Sequence, residues 1–113
     1  MGRHPIAERS IPGAVTDTLV VLGQQIATAR LRRRLTLREL AARSATNVVT
    51  LRRIEAGAPG TGIGAYAAVL WTMGLLTQLA EVARPDRDAE GEALAAARLG
   101  ERARSERLLD DRF

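Results

Sequence analysis

The sequence predicts an all-α fold. It reads as one compact domain of five short helices over residues 15–84, an N-terminal arm at 1–14, and a charged, partly helical tail at 85–113. Three observations lead there. Apolar residues recur at spacings of three and four, as in Leu19, Leu22, Ile26 and Ala29. Start and stop signals of helices punctuate the chain at short intervals. No stretch of useful length alternates apolar and polar residues as a half-buried strand would, and 113 residues suffice for one domain but not two.

Residues 1–14 hold Pro5, Pro12 and two glycines without periodicity, and read as an arm. Thr16 or Asp17 is the expected cap of helix one, which runs to about Arg33. Thr36-Leu37-Arg38-Glu39 matches a capping box, in which hydroxyl and carboxylate reciprocally satisfy backbone amides, so helix two spans about 37–43. After a break of about three residues at Ser44-Ala45-Thr46, Asn47 caps helix three, which stops at Gly57. Thr61 is the expected cap of helix four, with a buried stripe of Ile63, Tyr66, Val69, Leu70 and Met73 and an end at Gly74. Helix five covers Leu75 to Ala83, with Leu76 and Leu79 inward, before Arg84-Pro85-Asp86 closes the domain. Within the tail, Asp88 to Leu99 is rich in alanine, but Gly91 and Gly100 weaken a helix there.

Composition narrows the functional classes. There is no cysteine and one histidine, His4 in the arm, so neither a disulfide nor a metal site is expected, and no cofactor is implied. The apolar runs around 19–22 and 69–76 are too short to span a membrane, and a cytoplasmic protein is expected. No phosphate-binding loop or nucleophile elbow occurs, and Ser44 and Ser105 lack a base, so an enzyme is not expected. All seventeen basic residues are arginines. Eight of them (30, 32, 33, 34, 38, 43, 52 and 53) face a single acid, Glu39, between Arg30 and Arg53, so this segment carries +7 in a chain of net charge +4. From Glu81 to Glu92 the balance reverses, with five acids against Arg84 and Arg87. Such a local positive field suits nucleic acid or an anionic membrane, although a solvated arginine-rich surface has the same composition. The spread of the arginines over three helices disfavours a membrane-surface helix.

Helix three sharpens the choice. At 100° per residue Leu51 and Ile54 share one face of TNVVTLRR, and Val48, Val49, Arg52 and Arg53 share an arc opposite. Two short helices joined by a brief turn form a helix-turn-helix, whose second helix enters the DNA major groove. Valine methyls there meet thymine methyls, and an arginine fork meets guanine O6 and N7. The competing readings are that the valines pack on a neighbouring helix or are incidental surface residues.

The segments LGQQIATARLRRRLTLRELAARSATNVVTLRRIEAG and GIGAYAAVLWTMGL, within residues 22–80, resemble the lambda-repressor/Cro-like (Xre) helix-turn-helix regulators. The resemblance implies a lambda-repressor-like DNA-binding domain and a sequence-specific transcriptional regulator of the repressor kind. By position, Val48, Val49 and Arg53 match its base-reading residues, with Arg52 as an additional contact. Thr46, Asn47 and Thr50 fall at phosphate-meeting positions. Leu37 stands where a phosphate-binding Gln is common, so Arg34, Thr36 and Arg38 take over backbone anchoring. Thr61 and Gly62, at the start of helix four, match a loop that meets the DNA backbone, and are equally an ordinary loop and cap. Arg30 and Glu55 match a structural ion pair that fastens the recognition helix to helix one. Ala45 replaces the turn glycine, which implies an altered turn.

The resemblance also implies a homodimer on double-stranded DNA. Leu19, Val20, Val21 and Leu22 in helix one, more apolar surface than one buried stripe requires, and Trp71, off the helix-four stripe, are candidate surfaces, and extra core packing is the competing reading of the helix-one run. A sub-family comprises antitoxins paired with HipA-like kinase toxins. In that alternative the tail from Arg98 to Phe113, ending in Leu108, Leu109 and Phe113, binds the toxin, and otherwise it is a disordered solubilising tail.

Overall fold

The computed structural model describes residues 10–112, which form six α-helices, one 3-10 turn and no strand. Residues 1–9, with His4 and most of the expected arm, lie outside the described residues. In order, the elements are α1 (Gly13–Arg32), α2 (Leu37–Arg43), α3 (Val48–Ala56), α4 (Ile63–Thr72), α5 (Leu76–Leu79), a 3-10 turn (Pro85–Arg87) and α6 (Ala89–Arg112). The chain divides after Leu79 into two units.

The first unit packs α1 to α4 around one apolar core, and α5 lies against α4 with Leu76 and Leu79, expected inward, only half-buried and outside that core. Ile26 and Ala29 of α1, Leu40 and Ala41 of α2, Leu51 and Ile54 of α3, and Tyr66, Val69 and Met73 around α4 are buried together. Leu22, Leu35, Leu37, Val48, Ala65, Leu70 and Leu75 pack around them. α3 lies chiefly against α1 and also against α2, and α2 touches α4.

Two glycines set how close α1 and α3 come. A Cβ on Gly23 would lie 2.5 Å from the Glu55 carbonyl oxygen and 2.6 Å from that of Ile54, so the backbone of α3 occupies the volume a side chain would need. Gly57, with φ of 77°, ends α3, and its missing Cβ lies against the backbone of Leu19 and Val20. Both glycines are therefore packing devices of one helix crossing.

Four helices end in the same way. After α1, α2, α3 and α4 the chain turns through a left-handed residue, and the next amide bonds back five residues: Leu35 to Arg30, Thr46 to Ala41, Ala58 to Arg53 and Leu75 to Leu70. This Schellman closure satisfies carbonyls that the helix leaves open. Gly57 and Gly74 take the left-handed position without steric cost, but Arg34 (φ 55°) and Ala45 (φ 52°) also adopt it. The Ala45 turn thus keeps the geometry a glycine would give, at a strain of about 1 kcal/mol.

Several boundaries differ from the sequence reading. α1 begins at Gly13, with Pro12 as N-cap, because the Pro12 carbonyl accepts from the amides of Val15 and Thr16. The Thr16 hydroxyl is instead used inside the helix, donating to the Gly13 carbonyl. α4 starts with Gly62 rather than Thr61 as N-cap, and Ile63, at its first position, is 71% exposed instead of buried. α5 is four residues long. The largest difference is α6, whose 24 residues run through both Gly91 and Gly100 to Arg112. The Asp88 carboxylate accepts from the Gly91 amide, Glu90 and Glu92 complement the helix N-terminus, and Ala93 and Ala95–Ala97 offset the roughly 1 kcal/mol each glycine costs.

Two substitutions test this description. Gly23→Ala forces α1 and α3 apart and lowers unfolding stability in urea by about 1–3 kcal/mol, whereas a neutral result would contradict the close approach. Ala45→Gly relieves the left-handed strain and raises stability by about 0.5–1 kcal/mol, partly offset by the freer unfolded chain.

Candidate nucleic-acid interface

The candidate interface is built on α2, the connection 44–47 and α3. The capping box at the start of α2 is complete: the Glu39 amide donates to Thr36 Oγ1, and the Thr36 amide donates to Glu39 Oε1, each at 3.0 Å. Asn47 caps α3 by accepting from the Thr50 amide at 2.8 Å. Each helix is thus closed at both ends within seven and nine residues, lengths at which propensity alone would not hold it.

α3 divides sharply into two faces. Leu51 and Ile54 are fully buried. On the opposite side Val49 is 61% exposed, and Arg52 and Arg53 are exposed beside it. Val48 departs from the outward position expected for it. It is half-buried and packs on the core, because it lies at the flank of α3 rather than opposite Leu51. The apolar part of the outward face is therefore Val49.

Arg30 fixes the other flank. Its Nε donates to Glu55 Oε2 at 2.7 Å and its Nη2 to Glu55 Oε1 at 3.1 Å, a two-pronged ion pair with both side chains 12% exposed. Nη1 donates to the Leu35 carbonyl at 2.9 Å, so one guanidinium joins α1, the loop before α2 and the end of α3. The hydrogen bond to Glu55 raises Arg30 above its ordinary pKa against the opposing effect of burial, so the guanidinium stays charged. With so little solvent access, removing one partner leaves a poorly hydrated charge, which makes the pair a structural clasp.

Arg33, counted in the sequence only as charge, is likewise committed to structure. Its Nη1 donates to the Ala29 carbonyl and its Nη2 to the Met73 carbonyl, which places one cation at the C-terminal ends of both α1 and α4. Ser44, 4% exposed, donates to Thr72 Oγ1 and ties the end of α2 to α4. A glycine in mid-helix, such as Gly23, is the one such signal the sequence offers. Arg33 and the Ser44–Thr72 contact depend on partners 40 and 28 residues away and leave no local pattern.

Of the eight arginines in the basic segment, two are held in these clasps, and Arg32, Arg34, Arg38, Arg43, Arg52 and Arg53 remain exposed. Thr36 and Asn47 are exposed, and Thr46 and Thr50 are half-buried around the start of α3. Arg34 and Arg38 flank Thr36 in sequence at the entry to α2. Thr61 is half-buried in the turn before α4, and a Cβ on Gly62 would meet open space, so no protein atom requires glycine there. Among the described residues no group of three acids or histidines could hold a metal ion, and no helix is long and apolar enough to cross a membrane.

The Glu39 carboxyl is held below its usual range by the hydrogen bond from the Thr36 amide, then by the Thr36 side chain. A depressed carboxyl pKa contributes stability that is present above the unfolded-state pKa and lost as pH falls through the folded-state value. Glu39→Gln keeps an acceptor for the capping box but removes this titration. Its melting temperature is therefore expected to fall less than that of the parent between pH 7 and pH 3, and parallel curves would contradict the assignment.

No protein-family model, curated protein sequence or solved structure matches this chain.

Proposed function

We propose that the chain is a sequence-specific double-stranded DNA-binding regulator of the lambda-repressor/Cro-like type, acting as a repressor, with α3 as its recognition helix. The observation that carries this reading is the division of α3: Leu51 and Ile54 are buried, while Val49, Arg52 and Arg53 stand exposed on a helix capped and clasped into place. A rigid helix that presents one apolar side chain and two guanidinium groups suits a major groove, where thymine methyls alternate with the acceptor pairs of guanine.

In this reading Val49 and Arg53 read base edges, Arg52 adds a contact, and Val48 supports the helix from its flank. Thr36, Thr46, Asn47 and Thr50, with Arg34 and Arg38, meet phosphates, whose contacts position the protein without carrying sequence information. Thr61 and Gly62 take the same role at the start of α4. The six exposed arginines give the association its electrostatic component. The protein needs no cofactor for this and is not an enzyme, and its place of action is the cytoplasm.

A second reading rests on the C-terminal unit. α6 exposes Leu94, Leu99, Leu108 and Leu109, which suits a helical segment that meets a protein partner. As an antitoxin, the chain would use it to hold a kinase-like toxin while α3 binds the operon's DNA. A toxin-like reading frame beside the gene favours this version.

Selection of bound fragments from random duplex DNA at a stated salt concentration tests the main reading, and absence of any enriched sequence overturns it. Among variants, Arg53→Ala lowers specific affinity by about 1–3 kcal/mol and relaxes preference at one base pair. Arg38→Ala weakens binding to all sequences alike and reduces the salt slope by about one unit. Equal losses on every DNA for both variants would remove the division of roles.

A further inference from the structure

The exposed side chains of α3 are Val49, Arg52, Arg53 and Ala56. Counted from Val49 the others stand three, four and seven positions on, so all four share one arc of the helix. None of them can accept a hydrogen bond. The nearest acceptors are committed elsewhere: both Glu55 oxygens receive the Arg30 guanidinium, and Asn47 Oδ1 receives the Thr50 amide. Only the hydroxyl of half-buried Thr50 remains, about a quarter-turn from Val49 at the flank of the arc.

In the major groove cytosine N4 and adenine N6 present donors, guanine O6 and N7 present acceptors, and thymine adds its C5-methyl group. A face without acceptors has nothing to offer the donors. It can fork onto guanine and pack against a methyl. Val49 carries no polar atom, so it does not distinguish the O4 of thymine from the N4 of cytosine. What it senses is whether the pyrimidine C5 bears a methyl.

Building on the assignment of α3 as a recognition helix, we propose that DNA binding is governed by pyrimidine C5 methylation: Val49 takes 5-methylcytosine in place of thymine, and methylation of a cytosine in the bound site strengthens binding. With a guanidinium on either side of Val49, the methylated base lies within one or two base pairs of a guanine that Arg52 or Arg53 reads. Each methyl withdrawn from water against Val49 strengthens binding about fourfold. A face that recognised thymine through O4 would instead treat thymine and 5-methylcytosine as opposites.

The probe is the tightest duplex that the full chain selects from random DNA. Each thymine is replaced in turn by deoxyuridine and each cytosine by 5-methylcytosine, changes that remove or add one methyl and leave base pairing intact, and dissociation constants are measured at fixed salt. At the position Val49 meets, thymine is expected to bind about fourfold tighter than uracil, and 5-methylcytosine about fourfold tighter than cytosine. Val49 is 61% exposed, so Val49→Ala leaves the core intact, and in that variant both ratios are expected to fall toward one with the melting temperature unchanged. Sequence-specific binding in which no methyl matters, or in which 5-methylcytosine gains nothing over cytosine where thymine is preferred to uracil, overturns the proposal and leaves the DNA reading standing. Ratios that persist in Val49→Ala also overturn it, since another side chain then reads the methyl. A random library with no enriched sequence overturns the DNA reading and the proposal together.

Discussion

The structure of the first unit depends on how closely α1 approaches α3. Gly23 has no side chain, and the carbonyls of Ile54 and Glu55 occupy the space it leaves. One turn beyond Ile54, Gly57 repeats the device against the backbone of Leu19 and Val20. With the backbones this near, Ile26 reaches into the core beside Leu51 and Ile54, and Arg30, further along the same helix, reaches Glu55 with both prongs of its guanidinium. Apolar burial supplies most of the stabilisation, and the ion pair adds a fixed rotation of α3 about its own axis. The outward direction of Val49, Arg52 and Arg53 follows from that rotation. A helix free to roll by one residue would turn Val49 toward the flank and expose part of the core.

The same economy appears in the turns. The two connections that bound α2 carry their left-handed residues as Arg34 and Ala45, where glycine would be less strained. At Arg34 the side chain stays exposed and adds to the basic surface, so the strain has a compensation in charge. For Ala45 the structure shows no compensating contact. The arginines from 30 to 53 divide in a comparable way: Arg30 and Arg33 serve as multi-pronged donors to carboxylate and carbonyl groups, and the other six are exposed. A planar guanidinium with five donors can close two helix ends at once, as Arg33 does, and an ammonium of the same charge does so less rigidly.

Much of this was legible in the sequence where a local rule governs. The capping box at Thr36 and Glu39, the Asn47 cap and the stops at Gly57 and Gly74 each depend on residues within a few positions of one another, and each is found where the rule places it. The failures have a common cause. Pro12 and Gly62 displaced the better-looking caps Thr16 and Thr61 because the backbone entering each helix already had the extended conformation a cap requires. Val48 packs on the core because three residues at 100° each bring it back beside Leu51, on the flank of the buried face, whereas Ile63, at the same spacing from Tyr66, is exposed because no neighbouring helix covers the first turn of α4. α6 is longer than expected because the Asp88 carboxylate at its start and the alanines along it offset the cost of its two glycines. The basic face was visible as a count of charges, but which arginines are free to act required their partners to be seen.

The most direct measurement of the central claim is native-state amide hydrogen exchange resolved residue by residue. If the α1–α3 contact locks the outward face of α3, the amides of Ile54 and Glu55 exchange only through the same global opening that releases those of Ile26 and Ala29, with equal opening free energies and equal dependence on denaturant. Exchange of Ile54 and Glu55 through a smaller, denaturant-insensitive opening, while Ile26 and Ala29 remain protected, would show that α3 moves independently of α1 and would contradict the account.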